Sequence, residues 1–223
     1  MRTQAIEDYL KAIYELHEES GAATTSALAR RLGVAPASAT TMVKKLAGLR
    51  LVAHEPYRGV VLRSAGEKIA LEVIRHHRLV ESFLAEVLGV PWDEVHAEAE
   101  RWEHVLSEEV EDRIDERLGF PTSDPHGAPI PGRDGAIERP LSIRMSELEP
   151  GRSATVVEVS DRDPDLLRYV GRLGLVPGAS LRLVAAEPFG GGFSIEVGGR
   201  AHVVGREVAE ELLVREEEVR DAA

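Results

Sequence analysis

The sequence of 223 residues predicts a mainly α-helical protein that ends in a small β domain. Three observations carry that prediction. Apolar residues recur at helical spacing from the N-terminus to about residue 118, interrupted by one short hairpin-like stretch. Residues 119–150 then hold Pro121, Pro125, Pro129, Pro131, Pro140 and Pro150 with several glycines, which reads as a linker. Beyond about Arg152 the apolar pattern shortens and alternates, as strands require.

The elements follow in order. Residues 4–19 carry an apolar stripe of Ile6, Leu10, Ile13, Tyr14 and Leu16, the mark of an amphipathic helix. After Gly21 and a capping-type run at Thr24-Thr25-Ser26, a short helix spans Ala27–Leu32 and Gly33 ends it. Pro36 opens a further helix through Met42, Val43 and Leu46 to about Leu49, because a proline in the first turn loses no helical hydrogen bond. Two strand-like runs, Leu51–Glu55 and Gly59–Arg63, flank Pro56-Tyr57-Arg58 and form a hairpin, and Ser64 caps a long helix to about Leu88. Val90-Pro91-Trp92-Asp93 separates that helix from another, expected over about Asp93–Leu118. In the last third, Ala154–Val159, Leu181–Ala185, Phe193–Val197, Val203-Val204 and Leu212–Val214 predict the strands of a small barrel. Asp165–Leu173 predicts a short helix, and Gly190-Gly191-Gly192 a hairpin tip.

Helix, short helix, turn, helix and β-hairpin make the winged helix-turn-helix order, whose Pro36–Leu49 helix is sized for a DNA major groove. The alternative is a small helical domain without a nucleic-acid role. Charge distribution favours the first. The chain carries −12 overall, but residues 21–70 hold eight basic residues against two acidic ones, whereas residues 79–149 hold eighteen acids against six arginines. A basic head on an acidic body suits DNA binding joined to cation binding. With no cysteine, disulfide and thiolate chemistry are excluded. No apolar run is long enough for a membrane span and Met1-Arg2-Thr3-Gln4 has no signal-peptide pattern, so the expected location is the cytoplasm.

Two stretches concentrate imidazoles and carboxylates. Glu100, Glu103 and His104 fall at i, i+3 and i+4, and His77 and Glu81 make an i, i+4 pair, so on helices each set shares a face. Solvated charges on amphipathic helices would explain one such pair; two, in a chain with eight histidines, point to a site. If the first helix packs on the later ones, Asp8 joins Glu100, Glu103 and His104 at one centre. His77 and Glu81 then join His96 at another, with room for a ligand from the C-terminal barrel. Clustered carboxylates repel one another until a cation joins them. Oxygen and imidazole without sulfur suit manganese, iron(II) or zinc and fit calcium poorly; geometry and availability favour Mn(II), then Fe(II). His17, His54 and His202 read as surface or packing residues, Trp92 and Trp102 as core or interface anchors, and His126 as a lesser ligand candidate in the linker.

Together these residues resemble the diphtheria-toxin-repressor family of metal-dependent transcriptional repressors, which includes iron- and manganese-dependent regulators. The resemblance spans nearly the whole chain. It rests on Glu7-Asp8-Tyr9-Leu10-Lys11-Ala12-Ile13-Tyr14, Tyr57-Arg58-Gly59, His77-Arg78-Leu79-Val80-Glu81, Arg101-Trp102-Glu103-His104 and Asp124–Gly132. Leu173–Gly178 resembles a segment of that family's SH3-like domain, similar to the FeoA module. The resemblance implies a winged helix-turn-helix over 1–72, a helical dimerisation and metal-binding domain with the Pro-rich linker over 73–140, and an SH3-like domain over 148–223. It further implies a metal-loaded homodimer that binds palindromic double-stranded operators and represses metal-uptake genes, with no enzymatic activity. The activating site maps onto Asp8, Glu100, Glu103 and His104, and the ancillary site onto His77, Glu81 and His96. A barrel ligand is expected from Asp161-Arg162-Asp163-Pro164-Asp165, with Asp163 first and Asp165 second. Asp8 and Glu100 stand where iron-type members carry methionine and cysteine and manganese-type members carry Asp and Glu. Lys11 departs from the compact manganese-type members, which have a glutamate there.

On this reading Pro36 starts the recognition helix, Ser38, Thr40 and Thr41 face base edges, Lys44 and Lys45 face phosphates, and Tyr57 and Arg58 reach the backbone from the wing. The rivals are a metal-dependent hydrolase, a DNA-binding regulator with a purely structural metal, and an adapter whose barrel binds proline-rich peptide. No HExxH motif supports the first, and the acidic clusters are unexplained by the last.

Overall fold

The computed structural model describes residues 3–188 and 190–217, so residues 218–223 of the expected C-terminal domain lie outside the described residues. The chain divides into two compact units. One comprises Met1–His77, Arg101–Glu111 and Pro131–Ala136; the other comprises Arg78–Glu100, Asp112–Ile130 and Ile137–Ala223.

In the first unit the apolar stripe of α1 (Gln4–Ser20) buries Ile6, Leu10, Ile13 and Leu16. The Thr24 side chain caps α2 (Thr25–Arg31) by accepting from the Ala27 N–H at 3.1 Å, and Pro36 occupies the first turn of α3 (Pro36–Gly48). The hairpin β1 (Val52–Glu55) and β2 (Gly59–Leu62) pairs from Val52↔Leu62 to Glu55↔Gly59. The first half of α4 (Ser64–Glu86) completes the unit's own core of Leu10, Ile13, Leu28, Ala39, Leu46, Val52, Val60 and Ala70. This is the winged helix-turn-helix order the sequence predicts. Truncating one of these leucines to alanine costs about 2 to 5 kcal/mol.

The single helix expected over Asp93–Leu118 is two helices, α5 (Val95–Trp102) and α6 (Glu108–Arg117). Ser107 is the reason. Its carbonyl accepts from Glu111 N–H at 2.9 Å and its hydroxyl lies 3.4 Å from Val110 N, while Glu108, Glu109 and Glu111 put acids in the first turn, where a helix start favours them. Glu103 and His104 consequently sit in the turn between helices rather than on the shared helical face the spacing implied.

In the second unit six antiparallel strands run in the order β3-β8-β4-β5-β6-β7, formed by β3 (Ile143–Arg144), β4 (Ser153–Val159), β5 (Ser180–Ala186), β6 (Phe193–Val197), β7 (Arg200–Val204) and β8 (Leu212–Glu216). Alternation puts Phe193, Ile195 and Val197 inside with Val156, Leu183 and Val214. Register shifts between Val156 and Glu158, and between Leu183 and Ala185, curl the sheet. Helix α7 (Pro164–Leu173) covers it with Leu167 and Val170, and α8 (Arg206–Glu210) precedes the last strand. Residues 121–131, expected as part of a linker, are ordered and buried at Asp124, His126, Ala128 and Ile130. Asp124 Oδ1 accepts the His126 and Ala128 N–H groups at 2.8 and 3.0 Å, and Val159 N–H donates to the His126 carbonyl at 2.9 Å. Gly127 permits that approach: at φ +92° a Cβ there would stand 1.9 Å from the Val157 carbonyl oxygen.

Candidate metal centres and DNA-reading face

The first cluster lies wholly within the first unit. His104 Nδ1 hydrogen-bonds Glu7 Oε2 at 2.6 Å, which turns Nε2 toward Asp8 Oδ1 at 2.8 Å and Glu103 Oε1 at 3.3 Å. A carboxylate on one ring nitrogen is how a histidine ligand is oriented and its tautomer set. Glu103 is fully buried, and its other oxygen, Oε2, is held by the Lys11 ammonium at 2.8 Å and by His77 Nδ1. Lys11 Nζ is also 3.1 Å from His77 Nδ1. Burial alone would raise the Glu103 carboxyl, but the hydrogen bond from His77 and the Lys11 charge outweigh it and keep it below the usual carboxylate range. Lys11 and Glu7 were missed as site residues. Their roles come from tertiary contacts nearly a hundred positions apart, and only the acidic pair Glu7-Asp8 hinted at one of them.

The second cluster lies wholly within the second unit and gathers on Glu81, which is fully buried on the later half of α4. His96 Nδ1 is 3.2 Å from Glu81 Oε1 and 3.1 Å from Asp161 Oδ2. His126 Nδ1 is 3.8 Å from Glu81 Oε2 and 4.0 Å from Asp124 Oδ1, while its Nε2 donates to the Trp92 carbonyl at 2.7 Å. Burial pushes the His96 imidazole down, yet hydrogen bonds to Asp161 and Glu81 lift it to about 10. Burial likewise lowers His126, and Glu81 raises it to about 9. Asp124 is pushed up to about 8, first by burial and then by the Glu81 charge. Asp161 goes the other way, held at about 2 against burial by its hydrogen bond to His96, and the Arg78 guanidinium lies 3.7 Å from Asp124 Oδ2.

The residues fit a metal ion. Among the described residues, Glu103 Oε1 and His104 Nε2 in one cluster, and Asp124 Oδ2 and His126 Nδ1 in the other, are buried atoms that face charged neighbours without making a well-formed hydrogen bond. Such atoms are costly unless something else binds them. Asp8, Glu103 and His104 each offer a ligand atom within 4.8 Å of the others, as do Glu81, Asp124 and His126. Ligand bonds of about 2.1 Å hold neighbouring ligand atoms roughly 3 to 4 Å apart, and the carboxylate–imidazole separations in the two groups run from 2.8 to 4.0 Å.

Of the expected ligands Asp163 is placed differently, whereas Glu100 and His77 each lie beside a residue of the clusters. Glu100 is exposed in the second unit, its carboxylate 3.9 Å from His96 Nε2. His77, one turn before Glu81 on α4, spends Nδ1 on Glu103 and Lys11. Asp163 is not brought to either cluster: it caps α7, accepting from Asp165 N–H at 2.8 Å and Leu166 N–H at 3.4 Å, because it directly precedes Pro164 at the helix start. Asp161, two residues earlier, reaches His96 instead, and His126 and Asp124 join from the supposed linker.

The DNA-reading candidates are exposed on α3 and on the wing. Pro36, Ser38, Thr40, Thr41, Lys44 and Lys45 are exposed along α3, opposite buried Ala39 and Leu46. Thr40 and Thr41 donate their hydroxyls to the Pro36 and Ala37 carbonyls at 2.9 Å, so they offer methyls and lone pairs outward. Tyr57 stands fully exposed at the wing tip with φ +65°, and Arg58 pairs with Glu55 at 3.2 Å.

The chain is similar to known proteins over most of its length. Residues 1–60 match the profile of the iron-dependent repressor N-terminal DNA-binding domain, residues 63–132 that of the iron-dependent repressor metal-binding and dimerisation domain, and residues 143–216 that of the FeoA domain. The iron-dependent repressor IdeR of Mycobacterium tuberculosis is 38% identical over 212 residues, covering 88% of this chain and 90% of that protein. The chain belongs to the iron-dependent repressor family. As a member it is a metal-dependent, DNA-binding transcriptional regulator and not an enzyme. The HTH-type regulator MntR of Oceanobacillus iheyensis is 41% identical over 120 residues, 54% of this chain and 81% of that one. A solved manganese-dependent transcriptional repressor in complex with manganese superposes with a TM-score of 0.89 at 38% identity, covering 95% of this chain and all of that chain. Among the described residues, no helix is long and apolar enough to cross a membrane.

Proposed function

We propose that this chain is a repressor activated by Mn(II) or Fe(II), which as a homodimer grips palindromic operators near metal-uptake genes in the cytoplasm. The observation that carries this reading is the pair of buried carboxylate–imidazole clusters, one of which includes Asp8 on the first helix of the DNA-reading unit. In this reading Asp8, Glu100, Glu103 and His104 hold one ion. Glu81, His96 and Asp161 hold the other, with Asp124 and His126 beside Glu81, and His77 bonds Glu103. When bound, the ion supplies the positive charge that lets these carboxylates share one space.

The chain's residues do the rest. Glu7 fixes the tautomer of His104, and Lys11 neutralises one oxygen of Glu103 so that the other is free to turn inward. With Asp8 drawn to Glu103 and His104, α1 is held in one position, and α1 packs directly against the helices and wing that meet DNA. Metal and operator then strengthen each other's binding by the same factor. Lys44, Lys45, Tyr57 and Arg58 supply phosphate and backbone contacts, while Ser38, Thr40 and Thr41 supply short contacts to bases. With no bidentate base reader among them, specificity leans on DNA shape and half-site spacing. Manganese is favoured over iron because Asp8 and Glu100 stand where iron-type members carry methionine and cysteine, which leaves oxygen and imidazole as the ligand atoms. Support for the dimer is the match to a metal-binding and dimerisation domain.

The test is selection from a random duplex library with Mn(II), with anaerobic Fe(II), and with chelator, alongside sedimentation of the protein. Enrichment of inverted repeats only with metal, by a dimer, supports the proposal. Equal enrichment with chelator would mean that the metal is structural and not a signal.

A further inference from the structure

One ring outside both clusters touches a residue of the second. The Trp92 indole stacks on the His126 imidazole, with ring centroids 5.7 Å apart and planes 26° from parallel, and the Trp92 carbonyl takes the His126 Nε2 proton at 2.7 Å. The indole also meets α7 of the C-terminal module. A Cβ on Gly171 would stand 3.2 Å from Trp92 Cζ2 and 3.4 Å from its Nε1, so a bare backbone faces the ring. Glycine weakens a helix, and its place inside α7 is accounted for by this contact. Next to it, Arg168 of the same helix pairs with Asp93 at 2.9 Å, tying the segment that carries Trp92 to α7.

We propose that Trp92 is a positioning residue for the second metal centre: seated on Gly171, its ring and carbonyl hold His126 in the one orientation that presents Nδ1 to Glu81 and Asp124. This rests on the two-centre reading above. The carbonyl sets which nitrogen carries the proton; the stack removes the ring's freedom to turn. Metal affinity depends on such outer contacts, typically by 10- to 100-fold when one is lost. Docking of the C-terminal module is thereby linked to the readiness of His126, beyond the ligand that Asp161 would add. Sequence order alone concealed this, since Trp92, His126 and Gly171 lie in three separate segments.

The chain has two tryptophans, so Trp102→Phe leaves Trp92 as the sole indole reporter. Mn(II) titration of that protein, followed by emission and by the electron paramagnetic signal of free Mn(II), is expected to show two ions bound, only one of which quenches Trp92. His126→Ala should abolish the quench and retain the other ion. In the full chain Trp92→Ala should weaken one of the two binding events about 10- to 100-fold and leave the other unchanged, while Trp92→Phe, which keeps a ring on the imidazole, should restore most of it. Gly171→Leu, which favours the helix but crowds the indole, should weaken the same event and serves if Trp92→Ala does not fold. Unchanged affinities in Trp92→Ala or Gly171→Leu, or equal weakening of both events, would overturn the proposal. If no Mn(II) binds even to the Trp102→Phe protein, the two-centre reading itself is what has failed.

Discussion

Lys11→Met removes a buried cation while keeping its length, and the structure sets the size of the effect. The ammonium lies 2.8 Å from Glu103 Oε2, with the two side chains 9% and 0% exposed. Leaving one partner of a buried ion pair behind costs about 3 to 5 kcal/mol. His77 still bonds the same oxygen, so the lower end, about 3 kcal/mol, applies. Urea unfolding followed by circular dichroism should show this loss in chelator. With saturating Mn(II) the loss should shrink, because the ion offers Glu103 another positive charge, and binding to the folded form alone adds stability by mass action. The Mn(II)-induced stabilisation is therefore larger in the variant than in the parent chain. Equal stability of the two proteins in chelator, or a greater loss with Mn(II), would refute the assignment of Lys11 as the counter-ion of Glu103.

Three further outcomes are expected. Arg58→Ala should weaken binding to all DNA sequences alike and flatten the salt dependence by about one unit in a log–log plot of affinity against salt; a change confined to one sequence would argue for base reading instead. Glu111 is buried against Arg75 at 2.6 Å and His76 at 3.2 Å; burial would raise its carboxyl, but those bonds hold it at about 2. A depressed carboxylate stabilises the fold above its ordinary value of 4.5 and loses that contribution as pH falls through 4.5 toward 2, up to about 3 kcal/mol. Acid titration of stability should accordingly be shallower in Glu111→Gln, and identical acid limbs would contradict the assignment. His17 Nε2 donates to the Val60 carbonyl of β2 at 2.7 Å, pinning the end of α1 to the wing. His17→Leu should reduce the factor by which metal tightens DNA binding, measured by anisotropy with and without Mn(II); an unchanged factor with lowered stability would assign it a packing role only.

The fold was legible where pattern and punctuation agree. The stripe in α1, the proline opening α3 and the alternation of the late strands each have one structural solution, and the elements formed within a few residues of the expected limits. The α5–α6 break is set by Ser107 and the acids after it, a local signal that the apolar period does not register. Asp8, Glu103 and His104 were legible as residue types, although the helical face invoked to join them does not exist; a turn does the work. Asp124 is concealed, and His126 ranks only as a lesser candidate, because a proline-rich stretch reads as a linker, whereas an Asp124-centred turn and the Gly127 approach to β4 bury it. Asp161 was confused with Asp163 because spacing cannot tell a helix cap from a ligand two residues away, and proximity to Pro164 was the unused signal.

The central claim is that an ion bound through Asp8 makes this chain grip DNA. Its most direct test is fluorescence anisotropy of a metal-selected operator duplex with the parent chain and Asp8→Ala, in Mn(II), in anaerobic Fe(II) and in chelator. The account predicts that metal tightens binding by the parent chain about 5- to 150-fold and leaves Asp8→Ala at the chelator value. Equal tightening in Asp8→Ala would contradict it.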